Sequence, residues 1–414
     1  MAIEQTSEST DQTRDDANPE HWQREHFIPV RRSELEKLLA RHPDLSARES
    51  EAFQRFAHML SAVMHLQSRD HLEQLKDGYA AFNPDADTRS LLEHTPEEVA
   101  KLGPQVFDLI VKLLKQANFA LLDQDDLEEA AGASSAWGVR LHVDFDVFER
   151  LEVYARGDII GQRELGHWLF FWKKSEVDVD IYQRLVLIFK LRDHPRIDPD
   201  ADTETIYIKI FKNIPKQDVD MLLPGTRVRM TLLDQGKIFL PTLSGIVLSI
   251  VKMMKALFIF SMSTIFGFLA FLGLLGGTIG YGVKSFFGYL RTKDKYQLTL
   301  TRSLYYQNLD NNAGVLFRLV VEAEEQEARE ALLGYFLLWQ ASKDTRRGIT
   351  LKQLDQQAES LLAAIIDTDV DFEVCDAVLK LKRYGLAVEN GEYYRAVPID
   401  EACQRLQAHW NEAL

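Results

Sequence analysis

Between Lys255 and Lys284 the chain carries no charged residue, a run of apolar and small side chains from Ala256 to Val283. At about 1.5 Å per residue, a helix of that length reaches roughly 40 Å, more than the ~30 Å of hydrocarbon in a bilayer. The run predicts a membrane-inserted segment. A shorter uncharged stretch, residues 238–251, lies between Lys237 and Lys252. It lengthens into a span if Lys252 and Lys255 carry their amines to the headgroups. Together they predict a hairpin over 238–290, with spans at about 238–254 and 262–284. Arg227, Arg229, Lys237, Lys284, Arg291, Lys293 and Lys295 flank this unit, against Lys252 and Lys255 in its turn. That bias puts both ends on the cytoplasmic side. A single span, with 238–251 on the surface, is the alternative topology.

Gly273 and Gly277, and Gly276 and Gly280, are GxxxG pairs that let a second helix approach closely. The long stretch holds no Asp, Glu, His, Lys or Arg. An ion or proton path inside a bilayer usually needs such groups, which argues against a pump.

The remaining composition is that of folded, water-facing protein. Of 414 residues, 46% are hydrophobic and 27% are charged, and the net charge is −15. A surface so acidic disfavours nucleic acid as a partner. Cys375 and Cys403 are the two cysteines, too few for a disulfide framework and without zinc-ligand spacing. Residues 1–26 are polar and acidic, lack an apolar h-region, and read as a disordered tail.

Residues 27–136 read as a helical domain. Ser33 and Glu36 have capping-box spacing. Phe53, Phe56, Met59, Leu60, Val63 and Met64 mark a second helix, and a third runs from Arg69 to Tyr79. Thr95 is placed as an N-cap, with Pro96 at the first helical position. From Trp137 the period changes to two. Residues 139–148, 176–182, 184–190, 205–211 and 226–232 read as strands of an antiparallel β-rich domain over 137–237. Residues 291–342 read as a helical connector. Residues 343–414 read as helix, helix, hairpin about Asn390-Gly391 and final helix, a winged-helix-like order. Asp371, Glu373 and Asp376 occupy the start of its second helix, where a DNA reader would be basic. The fold class expected is therefore a multi-domain α+β membrane protein: N-terminal helical domain, antiparallel β-rich domain, transmembrane helical hairpin and C-terminal winged-helix-like domain.

Candidate chemistry is sparse. His142, Asp144 and Asp146 alternate on one predicted strand, and Asp178 and Asp180 on another. If the strands are neighbours, these groups suit a divalent metal; if not, they are the wet face of a sheet. The run from Asp198 to Glu204 opens like a calcium loop, but Thr203 stands at the sixth position and Lys209 at the twelfth. No nucleophile elbow, zincin, P-loop or dinucleotide fingerprint occurs. No catalytic residue and no cofactor is expected.

Several stretches carry a family likeness: Phe27-Ile-Pro-Val, Leu75-Lys-Asp-Gly-Tyr-Ala-Ala-Phe-Asn-Pro-Asp85, Ile210-Phe-Lys-Asn-Ile-Pro-Lys-Gln-Asp-Val-Asp-Met-Leu-Leu-Pro224, Leu304-Tyr-Tyr-Gln-Asn-Leu-Asp-Asn-Asn312 and Val370-Asp-Phe-Glu-Val374. The chain resembles the uncharacterised membrane-protein family that includes transmembrane protein 143 of animals, with bacterial and plant relatives. The resemblance implies two spans and supplies no catalytic residue. Lacking a transit-like N-terminus, the chain is expected as an integral protein of a bacterial cytoplasmic (inner) membrane, both termini cytoplasmic. Its expected role is a membrane-anchored scaffold or interaction protein, with the bilayer and a protein partner or second copy as contacts. A metal-dependent enzyme or regulator, or a lipid-handling or transport component, are the alternatives.

Overall fold

The computed structural model describes residues 25–87, 95–123, 139–142, 145–166, 174–195, 197, 202–224, 227–230, 251, 280, 287, 305–344, 347–366 and 369–412. Its helices are α1 (Arg32–Ala40), α2 (Ala47–Tyr79), α3 (Pro96–Gln116), α4 (Ala313–Asp344), α5 (Leu351–Ile366), α6 (Val374–Arg383) and α7 (Ile399–Glu412). Its strands are β1 (Ala120–Leu122), β2 (Val139–His142), β3 (Phe148–Gly166), β4 (Lys174–Leu191), β5 (Ile206–Pro215), β6 (Arg227–Met230), β7 (Asn308–Asn311), β8 (Ile349–Thr350), β9 (Ala387–Asn390) and β10 (Tyr393–Ala396).

A five-stranded antiparallel sheet runs β1-β3-β4-β5-β7. Period two sorts its side chains. Tyr154, Val186, Ile188, Ile206, Ile208 and Ile210 face a helical layer built by α3, the end of α2 and the first half of α4. Val153, Ala155, Leu185, Leu187 and Phe211 face the opposite way, onto Val219, Leu222 and Leu223 of the 3-10 turn at Lys216–Leu222 and just after it. Both faces of the central strands are therefore dry. β2 and β6 pair apart from this sheet.

A second core joins α1, the first half of α2, the second half of α4 and everything beyond it. Phe56 stacks on Tyr335 at 3.9 Å between centroids, and Phe53 on Trp339 at 6.0 Å. The C-terminal sheet runs β8-β10-β9. In chain order this part runs α4, β8, α5, α6, β9 and β10. Gly385, at φ +68°, turns the chain out of α6, and Gly391, at φ +67°, turns the β9–β10 hairpin.

Three expectations are corrected. Among the described residues, no helix is long and apolar enough to cross a membrane. This overturns the membrane-protein fold class and the integral-membrane location. The longest described helices, α2 at 33 residues and α4 at 32, are amphipathic and charged along their length, so each suits a wet-sided layer and not hydrocarbon. The expected spans lie outside the described residues, apart from Val251 and Gly280, both helical and exposed.

Secondly, the N-terminal helices have no core of their own. α2 is one helix, not two. Its first half buries Phe53, Phe56, Leu60 and Met64 in the C-terminal core, and its end buries Leu75 and Tyr79 against the sheet layer. The apolar stripe changes partner between Met64 and Leu75, which breaks the sequence period without breaking the helix. Thirdly, residues 139–148 are not one strand: β2 ends at His142, and a 3-10 turn at Phe145–Val147 leads into β3.

Candidate functional site

Of the residues expected to hold a metal, the structure sets Asp146 apart from Asp178 and Asp180. His142 sits on β2 opposite Arg227. Asp144 lies outside the described residues. Asp146 is exposed in the turn before β3. Asp178 and Asp180 lie on β4 opposite Gln162 and Ile160, whereas Phe148, just after Asp146, pairs with Leu191. Eleven residues of strand, roughly 35 Å at ~3.3 Å each, separate the two ends. Gly273, Gly276 and Gly277 lie outside the described residues. Among the described residues, nothing lies within 4 Å of where a Cβ on Gly280 would stand.

Three of the stretches that carry the family likeness, those holding Asp85, Asn213 and Asn312, meet at the β5–β7 corner. Asn312, at φ +48°, donates from Nδ2 to Asp85 (2.6 Å), and its Oδ1 accepts from the amide of Ile208 (3.2 Å). Gln307 donates to the carbonyl of Asn213, itself at φ +52° (2.9 Å). Asp310 fills the space beside Gly314, where a Cβ would stand 1.9 Å from its Oδ1. Asparagine tolerates the left-handed region and bonds locally. The corner thus needs its asparagines to turn the chain from the sheet edge into α4, a structural task.

A buried polar seam joins the two cores along α4. The segment entering at Glu25 is strapped beside Val370, with the amide of Asp371 donating to the Glu25 carbonyl (2.8 Å). The Phe27 ring packs against the guanidiniums of Arg156 (4.0 Å) and Arg329 (4.8 Å). Arg156, on β3, donates to Glu322 of α4 (2.8 Å) and to the Ala117 carbonyl (2.9 Å). Burial pushes the Arg329 guanidinium down to about 10 despite the nearby Glu325. Further along α4, Glu330 is 1% exposed and accepts from Lys380 of α6 (2.6 Å), Gln326 (2.7 Å) and Asn118 (3.1 Å). Burial alone would lower the Lys380 ammonium; Glu330 and Glu327 outweigh it and hold the group above the ordinary lysine range.

That pairing occupies one of the three cations in the last turn of α6. In a DNA-binding winged helix this helix offers cations to phosphate and bases. Here Lys380 is tied to α4, and Lys382 is tied to Glu389 of the wing. The helix opens on Glu373 and Asp376.

The neighbouring helix, α5, presents two worked faces. On one, oxygens of Asp355, Glu359 and, from the loop ahead of α6, Asp371 lie within 4.8 Å of one another. Such spacing accepts a divalent cation but is also common on acidic surfaces, and we assign no metal there. The other face forms one wall of a cleft of about 730 Å³, facing the end of α4 and the turn after α1. Gln353, Gln356, Gln357 and Ser360 line it from α5, Gln340 and Lys343 from α4, and His42 and Asp44 from the turn. Phe336, Leu337, Leu361 and Ala364 give it an apolar floor. His42 stands edge-on to Phe336 at 5.4 Å. Sequence reading passed over this cleft because its walls come from three distant segments. The run Gln353, Gln356, Gln357, Ser360, on one face of a helix, was the available signal.

A domain of the family described as a protein of unknown function (DUF3754) spans residues 182–314. It takes in the second half of β4, β5, β6, β7 and the first two residues of α4, so Asn312 lies inside it while its partner Asp85, the cleft, the seam's α6 end and the carboxylate trio lie beyond it. No solved structure matches the chain.

Proposed function

We propose that the chain is a non-enzymatic interaction scaffold that holds a partner polypeptide on its C-terminal winged-helix unit. The observation that carries this reading is α4: one helix supplies core residues to the sheet layer (Val315, Leu316, Leu319, Val320) and to the C-terminal core (Leu332, Tyr335, Phe336, Trp339). A shared rigid helix suits a body that keeps docking faces in fixed relation. The ion pairs that occupy Lys380 and Lys382, with a net charge of −15, favour a protein partner over nucleic acid. The likeness to the family that includes transmembrane protein 143 remains part of this reading; its most specific stretches, 211–215 and 305–312, bring no known activity with them.

Exposed apolar side chains mark faces to test. Leu379 of α6 is 61% exposed, and Phe317 and Val321 stand one turn apart on α4 at 45% and 57%. A photo-crosslinking amino acid placed singly at Gln357, Leu379 or Phe317 of the full chain, in cells that make it, is expected to give a discrete protein adduct from Gln357 or Leu379. Adducts to nucleic acid alone, or none from either position, would refute the scaffold reading.

A further inference from the structure

We infer that the row Arg156, Arg184 and Lys212 across β3, β4 and β5, with Arg318 of α4 beside it, binds a phosphate group carried by a small phosphomonoester or a lipid headgroup. Arg156 pairs with Arg184 across β3 and β4, and Arg184 pairs with Lys212 across β4 and β5. Directly paired residues share a face of the sheet, and like charges so placed repel. Three cations abreast call for negative charge, in a chain whose net charge is −15.

Glu322 supplies part of it. It accepts from Arg156 at 2.8 Å and lies 3.8 Å from Arg318, which brings Arg318 to the same end of the row. Arg156 is already committed. Its side chain is 7% exposed, it also donates to the Ala117 carbonyl, and the Phe27 and Phe119 rings lie against its guanidinium. Burial lowers the Arg156 guanidinium, Glu322 opposes this, and Arg184 lowers it further, so the two cations feel each other. Arg184 donates to the Gln183 carbonyl (2.9 Å), and among the described residues neither it nor Lys212 pairs with a carboxylate. Asp158, two residues beyond Arg156 on β3, is held by Lys216 at 2.5 Å. Glu25 lies within electrostatic reach of Arg156, but burial raises its carboxyl.

Four cations less Glu322 leave three positive charges, or two where Glu25 is ionised. That surplus suits a phosphate group, at about −1.5 to −2 near neutral pH, better than a monoanion. Accessibility rises along the row from buried Arg156 through half-buried Arg184 to exposed Lys212, and Arg318 is 35% exposed. The charges without partners are thus the ones a ligand can reach. Guanidinium forks and ammonium groups are suited to phosphate oxygens.

The test titrates inorganic phosphate and glycerol 3-phosphate into the full chain by calorimetry, and co-sediments the chain with phosphatidylcholine vesicles that hold or lack phosphatidic acid. Binding of a soluble phosphate supports a small-molecule ligand, and binding of phosphatidic acid vesicles alone supports a headgroup. Either affinity is expected to fall about tenfold or more in Arg184→Gln and in Lys212→Glu, the worth of one hydrogen bond to a charged group. Lys212 is exposed, so K212E keeps the test open should R184Q fail to fold by circular dichroism. Arg48→Gln removes an exposed cation from the first turn of α2, at the C-terminal core, and should leave binding unchanged. The site is overturned if no probe binds, if K212E binds as tightly as the parent, or if R48Q loses as much as K212E.

Discussion

Removing Lys380 should cost the fold more than any surface charge. Its side chain is 14% exposed and its partner Glu330 is 1% exposed. In Lys380→Met the aliphatic stem stays, but a buried carboxylate loses its cation. Breaking such a pair costs about 3–5 kcal/mol. Glu330 keeps Gln326 and Asn118 as donors, so the lower end, about 3 kcal/mol, is expected. Glu330→Gln on top of K380M removes the stranded charge while keeping a group that those donors can reach. The double variant should recover about 2 kcal/mol of the loss. Urea unfolding followed by far-ultraviolet circular dichroism measures both. With a slope of roughly 3 kcal/mol/M or more for a chain this size, K380M should lower the midpoint by about 1 M or less, with the slope unchanged. The pH dependence follows in sign. Lys380 is raised in the folded state, so its contribution is complete below the ordinary lysine range and fades only as pH climbs through the higher folded value. The parent should keep this advantage over K380M at pH 10. A K380M loss under 1 kcal/mol, or a double variant no better than the single, would refute the picture of α4 and α6 joined by a buried charge pair.

Other outcomes follow from single sites. Ser46 caps α2, accepting from the Glu49 amide, while Glu49 accepts from the Ser46 amide and pairs with Lys343. Ser46→Ala should cost about 1 kcal/mol by thermal melting. The Lys343 and Ser46 bonds hold the Glu49 carboxyl at about 2, so its stabilising effect, present above the ordinary glutamate range, should be lost as pH falls toward 2 and be missing in Glu49→Gln. Gly348 sits at φ +86°, and a Cβ there would stand 2.2 Å from the Tyr394 carbonyl oxygen. Gly348→Ala should therefore destabilise by about 2–4 kcal/mol in the same urea assay. Phe56→Ala, which empties a fully buried site stacked on Tyr335, should cost about 3–5 kcal/mol.

Local chemistry was legible in the sequence wherever one segment decided it. Thr95 caps α3 with Pro96 at its first position, and Glu98 completes the box. Asn390-Gly391 turns the β9–β10 hairpin, and Gly385 stops α6. Ser33 misled because it already lies inside the first turn of α1, whose N-cap is Arg31; the box stands one helix later, at Ser46 and Glu49. Alternation marked β4 as two strands, but it is one of 18 residues, since nothing between Tyr182 and Arg184 stops the ladder to β3. What no local pattern reveals is which distant segments share a core. The two-part burial of α2 and α4, the Asp85–Asn312 bond across 227 positions and the three-walled cleft depend on tertiary placement. The uncharged stretch at 256–283 weighed heaviest in the sequence, and the expectation drawn from it is the one the described helices overturn.

If α4 makes the sheet layer and the winged-helix unit one body, their innermost amides open together. Hydrogen exchange of the full chain under low urea, read by mass spectrometry, compares β4 and β5 with α6 and α7. The account predicts opening free energies that agree within about 1 kcal/mol and fall with the same slope in urea. Exchange of α6 and α7 through an opening several kcal/mol easier than that of the sheet would contradict it.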